Sequence, residues 1–217
     1  MSHPVARFFV VVAAILATSG THAAESDLSV NARLLAAARN SDPAGVGRAL
    51  KDGASANARN RLGETALVIA LKKNDDTMAR TMIAAGADVN VAAVNGVTPL
   101  MAAAYNGQVE MVAALLARGA NQDAIDRLDK NAMTYAAGEG RTEVVVLLLA
   151  RGVDPNAVYH NDLTALMWAA GSGKADTVKA LLAAGAKPGL KDNRGKTALD
   201  IARDAHQSEV VTLLEQT

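Results

Sequence analysis

No cysteine occurs anywhere in the 217 residues. That excludes disulfide staples, thiolate nucleophiles and cysteine metal ligands in any compartment, so the fold must be held by packing alone. Aromatic residues are almost as scarce, at 3% of the chain, and Phe8 and Phe9 both fall in an apolar N-terminal run. Only Tyr105, Tyr135, Tyr159 and Trp168 are left for the rest, so alanine and leucine have to supply the core. Small side chains let helices approach closely, which suits thin stacked layers better than a deep spherical core. Excess charge of either sign is missing too, since 22 basic residues balance 22 acidic ones. A nucleic-acid binder would carry a basic surplus and stacking aromatics, and this chain has neither.

What is present begins with a leader. Residues 1–7 end on Arg7, Phe8 to Ala17 is an unbroken apolar run of ten, and residues 18–24 are small and polar. This three-part layout is that of a secretory signal, and the run is short for a bilayer span. Cleavage after Ala23 leaves the small Thr21 and Ala23 at the minus-three and minus-one positions, whereas cleavage after Ala24 would put the bulkier His22 at minus-three. The sequence therefore predicts a signal peptide over residues 1–23, a mature chain beginning at Ala24, and export to the bacterial periplasm. With no cysteine after the run, a lipoprotein anchor is excluded. An uncleaved inner-membrane anchor is the alternative.

From about Ser29 onward the chain repeats every 33 residues without a slip. Thr65, Thr98, Asn131, Thr164 and Thr197 share one register; Gly53, Gly86, Gly119, Gly152 and Gly185 share a second; Ala37, Ala70, Ala103, Ala136, Ala169 and Ala202 share a third. So strict a period makes a stack of like units. Within one unit, Thr98-Pro99 reads as a helix start, threonine capping and proline at the first helical position. Gly107 interrupts that helix. A second runs over Val109 to Ala117, with Val112, Leu115 and Leu116 on a shared face, and Gly119 closes it as a left-handed cap. The polar stretch from Asn121 through Asp126-Arg127-Leu128-Asp129 reads as an extended hairpin leading to the next unit.

These residues resemble the ankyrin-repeat family, whose pattern is Gly-x-Thr-Pro-Leu-His-x-Ala-Ala, then Gly-x-x-x-x-Val-x-x-Leu-Leu, then Gly-Ala-Asp-x-Asn. Gly96 to Ala103 carries the first part, Gly107 with Val112, Leu115 and Leu116 the second, and Gly86-Ala87-Asp88-Val89-Asn90 the third. The resemblance implies an all-α repeat solenoid over residues 28–217, about six units with polar caps at both ends. Two departures bear on helix starts. Proline survives only at Pro99, and Val68, Met101, Thr134, Met167 and Asp200 replace the family's histidine, which predicts less rigid starts.

Other motifs dissolve into the repeat. Gly171-Ser172-Gly173-Lys174 lacks the spacing of a Walker motif, and Gly173 shares the interhelix column of Gly107 and Gly140. Asp123, Asp126 and Asp129 lack calcium-loop spacing and read as solvated turn residues, Asp126 and Asp192 also accepting backbone N–H groups at the start of a hairpin. His160 and His206 lie far apart and support neither a metal pair nor a triad. Trp168, in the column of Ile69, Ala102, Tyr135 and Ile201, is expected to pack between units. No catalytic, cofactor-binding or metal-binding residue is predicted.

An array of equivalent layers leaves a concave face free for a partner. The family resemblance maps that face to Arg61, Leu62, Val94, Asn95, Tyr105, Asn106, Arg127, Leu128, His160, Asn161, Leu163, Asn193 and Arg194, joined by Arg59, Glu64, Lys72, Lys73, Val97, Lys130, Glu139, Ser172 and Lys196. Leu62, Leu128 and Leu163, with Tyr105, are the expected exposed anchors. The expectation is a monomeric protein that binds another protein, with no cofactor, nucleic acid or small-molecule substrate and no membrane contact after leader removal. Neutralising an envelope-acting toxin as an immunity protein is one alternative role, and a membrane-tethered scaffold is another.

Overall fold

The structure is a computed structural model that describes residues 30–217, and the leader expected over residues 1–23 lies outside the described residues. Six pairs of short helices follow one another. They are α1 (residues 30–39) with α2 (Pro43–Lys51), α3 (Ala66–Lys72) with α4 (Asp76–Ala84), and α5 (Pro99–Asn106) with α6 (Val109–Ala117). The remaining pairs are α7 (Ala132–Glu139) with α8 (Thr142–Ala150), α9 (Ala165–Gly171) with α10 (Ala175–Ala183), and α11 (Ala198–Asp204) with α12 (Ser208–Leu214).

Each odd-numbered helix from α3 onward starts at the predicted residue. Thr65, Thr98, Asn131, Thr164 and Thr197 are extended, and each side chain accepts the backbone N–H three residues on, at 3.0–3.3 Å. An N-cap oxygen of this kind contributes about 1 kcal/mol. The loss of the family's histidine and proline therefore leaves the starts intact, and the N–H groups of Asn131 and Thr197 donate in return to Thr134 Oγ1 and Asp200 Oδ2. Between the two helices of every pair the chain turns through one left-handed residue. Gly107, Gly140 and Gly173 do this freely, while Ser41, Asn74 and His206 adopt the same positive φ at 51–59° with a side chain to accommodate. The closing glycines form an equally uniform column, with φ of 80–95° from Gly53 to Gly185.

The alanine column lies wholly inside, from Ala37 to Ala202. With the methyl groups of this column between them, α3, α5, α7, α9 and α11 pack flank to flank more extensively than the even-numbered helices do. The stack is therefore tighter along the odd row. Leu67, Met82, Met111, Leu115, Leu148 and Leu181 fill the space between the rows. Each fully buried side chain of this size contributes roughly 1.5–3 kcal/mol.

Hairpins project from the odd row. Their arms close through Asn60 N–H to Glu64 O, Ala93 to Val97, Asp126 to Lys130, Tyr159 to Leu163 and Asp192 to Lys196, at 2.9–3.0 Å. Tip joins tip through Val94 N–H to Leu62 O, Arg127 to Asn95 and Asn193 to Asn161. Asn57, Asn90 and Asn156 tie successive units further by accepting the N–H groups of Asp88, Asn121 and Lys187 at 2.8 Å. One seam differs. Asp123 replaces asparagine there, and the fourth tip is a 3₁₀ turn over His160–Asp162 in which Asn161 and Asp162 both have positive φ. Among the described residues no tip-to-tip backbone bond joins it to the third hairpin; His160 Nδ1 instead meets Asp129 Oδ2 at 3.0 Å.

Candidate functional site

The hairpin tips and the exposed ends of the odd helices form one continuous surface. Six of the seven strongly exposed large apolar residues among the described ones lie on it: Leu62, Val94, Tyr105, Ile125, Leu128 and Val158; Val146 on α8 is the exception. Single exposed apolar groups are ordinary, but confinement of nearly all of them to one face is informative.

The tips carry the predicted residues in order. Arg61 and Leu62 top the first hairpin, Val94 and Asn95 the second, Arg127 and Leu128 the third, His160 and Asn161 the fourth, and Asn193 and Arg194 the fifth, all of them exposed. Leu62 and Leu128 are bare, at 64% and 60% exposure, as an anchor requires. Leu163 is not: it is half-buried and rests on the core, because an apolar side chain in the second hairpin arm folds back against the helices instead of facing water. Val97, at the equivalent place, does the same. Asn106 is half-buried, its amide donating to Leu71 O at 2.7 Å. Arg194 is exposed but committed, its guanidinium held by Asp192 Oδ2 at 2.7 and 2.9 Å.

Turn carboxylates set the rigidity of this surface. Asp126 Oδ1 accepts Leu128 N–H and Lys130 N–H at 2.8 and 2.9 Å, and Asp192 Oδ1 and Asn60 Oδ1 make the corresponding pairs in their own hairpins. Asp126 is thus a buried brace and not a solvated turn residue. Asp192 loses water, which disfavours its charge, but N–H groups of Lys196 and Arg194 and the Arg194 guanidinium outweigh this and hold its carboxyl below the usual range. For Glu64, burial likewise works against the charge, and bonds from Lys72 and Asn60 bring the carboxyl down.

Aromatic rings make the floor. Tyr105 and Tyr135 meet edge to face with centroids 6.0 Å apart. Burial, then the bond from Tyr135 Oη to Asp126 Oδ2 at 2.6 Å, pushes the Tyr135 phenol well above the ordinary tyrosine value. Lys130 Nζ sits 4.1 Å from the Trp168 ring centroid and 5.7 Å from that of Tyr135, within cation–π range of both. Trp168 packs on the core as its column predicts, and its other face is the seat for this ammonium group; its indole N–H has no acceptor among the described residues. Tyr105 and Tyr135 also wall a recess of about 220 Å³ whose base is Met101 and Ala102.

Sequence reasoning missed Ile125, Val158 and Tyr135. The first two were within reach, because the column of Arg59 continues through Ala92 to Ile125 and Val158. Tyr135 was not, since its column reads as packing and only the small Ala102 beside it opens the floor. Among the described residues no group of three or more His, Asp or Glu is placed to hold a metal ion, and Gly173 is an ordinary left-handed turn residue. No helix of the described residues is long and apolar enough to cross a membrane.

The model for ankyrin repeats, in three copies, matches residues 34–126, 87–159 and 133–216. No curated protein matches the chain. Because those segments together run from residue 34 to residue 216 and the caps, turns and hairpins recur in step with them, the chain belongs to the ankyrin-repeat family.

Proposed function

We propose that the protein is a non-catalytic binding module of the bacterial periplasm that docks another protein on the face built from hairpin tips and odd-helix ends. Ankyrin repeats are protein-interaction modules, and stacked repeats use their inner surface for this purpose. The observation that carries the reading here is the gathering of Leu62, Val94, Tyr105, Ile125, Leu128 and Val158 on that face. A complex of standard size buries on the order of 800 Å² per partner, and five hairpins supply the length for it.

Replacing Leu62, Val94, Tyr105 and Leu128 together with Glu tests the face. All four are exposed, so helicity and melting stay near those of the parent chain while co-purifying periplasmic proteins disappear. Retention of the same partners by the folded variant rejects the proposal. Intact mass of the periplasmic fraction tests the location: a chain beginning at Ala24 supports export with cleavage, and one still carrying Met1 supports a retained anchor.

A further inference from the structure

The recess on the floor has a specific origin. Its column reads Ala36, Ile69, Ala102, Tyr135, Trp168 and Ile201, so among the five units that carry the full signature only the one built on α5 has a methyl group there, which leaves an opening beside the paired Tyr105 and Tyr135 rings, bounded also by Lys72, Asn95 and Val97. At about 220 Å³ it is smaller than the pockets of roughly 300–1,000 Å³ that hold whole small molecules, which suits a single side chain. The buried Met101 and Ala102 make its base apolar, and an entering ring would meet two others already at an edge-to-face angle of 76°.

The unpaired side chains around the opening are mostly basic. Arg61 and Arg127 stand on tips to either side, and Lys130 lies across the neighbouring rings; none of the three has a carboxylate within ion-pair distance among the described residues. The nearby acids are largely withdrawn: Glu64 is held by Lys72 and Asn60, and Asp126 by two N–H groups and the Tyr135 hydroxyl. Asp129, exposed on the Arg127 tip and 3.0 Å from His160 Nδ1, and Glu139, half-buried at the end of α7, are the acidic counterweights.

We propose that, within the protein-binding reading above, the recess receives one aromatic or large aliphatic side chain from an extended acidic segment of the partner, whose carboxylates beside that anchor meet Arg61 and Arg127. The pocket gives specificity for the anchor, and the uncommitted cations speed and orient its arrival.

A random peptide library displayed on phage, panned on the full chain, tests this without knowledge of the partner. The enriched sequences are expected to share an aromatic or large aliphatic residue flanked by Asp or Glu. Synthetic copies should weaken by about tenfold or more on Ala102→Ile, which fills the recess with the residue two sister units carry there, and on the exposed Tyr105→Ala. Their affinity should also fall as salt rises from about 0.05 to about 0.5 M. Failure of any sequence to enrich, enrichment of basic or anchor-free sequences, or indifference to both pocket variants overturns the proposal. Peptides indifferent to those variants but lost on Leu62→Glu with Leu128→Glu leave the face standing and remove the pocket; peptides indifferent to all four changes remove both.

Discussion

Asp126→Ala removes the brace that joins a hairpin to the aromatic floor. The carboxylate is buried and accepts three bonds: Leu128 N–H at 2.8 Å, Lys130 N–H at 2.9 Å and Tyr135 Oη–H at 2.6 Å. Bonds to a charged group contribute about 1.5–3 kcal/mol each, but two of the donors sit on a hairpin that water reaches, and the variant no longer buries a charge. The net expectation is a loss of about 2–4 kcal/mol, a large part of a domain stability near 5–15 kcal/mol. It should not unfold the chain outright, because the second hairpin carries Ala93 at this position and still closes through Ala93 N–H to Val97 O at 2.9 Å. Asp126→Asn keeps an acceptor for the two N–H groups and should cost about 1 kcal/mol. Urea unfolding followed by circular dichroism measures both. An alanine variant within about 0.5 kcal/mol of the parent, or an asparagine variant weaker than the alanine one, would refute the reasoning.

Asp123→Asn should repair the weak seam by offering Asp154 N–H and Gly152 O the partners that Asn90 and Asn156 give their neighbours, raising stability by about 1 kcal/mol and the melting point by about 2–4 °C. Ser41→Gly and His206→Gly release side chains from left-handed turns at φ of 51° and 57° and should each add about 0.5–1 kcal/mol, read from the urea midpoint. At high pH the raised Tyr135 phenol keeps its proton where the unfolded chain has lost it, so stability holds up to the ordinary tyrosine range near 10 and declines above it. At low pH the order reverses: Glu64, Asp192 and Asp200 have folded values below their ordinary ones, so their contribution is full above about pH 4–5 and vanishes as pH falls through the folded values. Urea midpoints across the pH range check both limbs.

Much of the architecture was legible because a 33-residue period writes the same instruction several times. Thr65, Thr98, Asn131, Thr164 and Thr197 announced helix starts, and the structure places a cap at every one. The glycine column announced left-handed closures, and the tips of the five hairpins follow the columns of Arg61 and Leu62. What escaped depends on direction across units. Leu163 reads as an exposed anchor, yet its arm turns the side chain onto the core. Lys130 reads as a partner-facing residue, yet Trp168 in the next unit supplies the ring that seats it. The opening at Ala102 is a difference from its own column, which a reading based on sameness passes over.

Hydrogen–deuterium exchange of the full chain, alone and bound to the partner it captures, measures the docking face directly. The account predicts new protection at the hairpins over residues 59–64, 92–97, 125–130 and 158–163 and at the end of α5, with α4, α6, α8 and α10 unchanged. Protection confined to those even-numbered helices would contradict it.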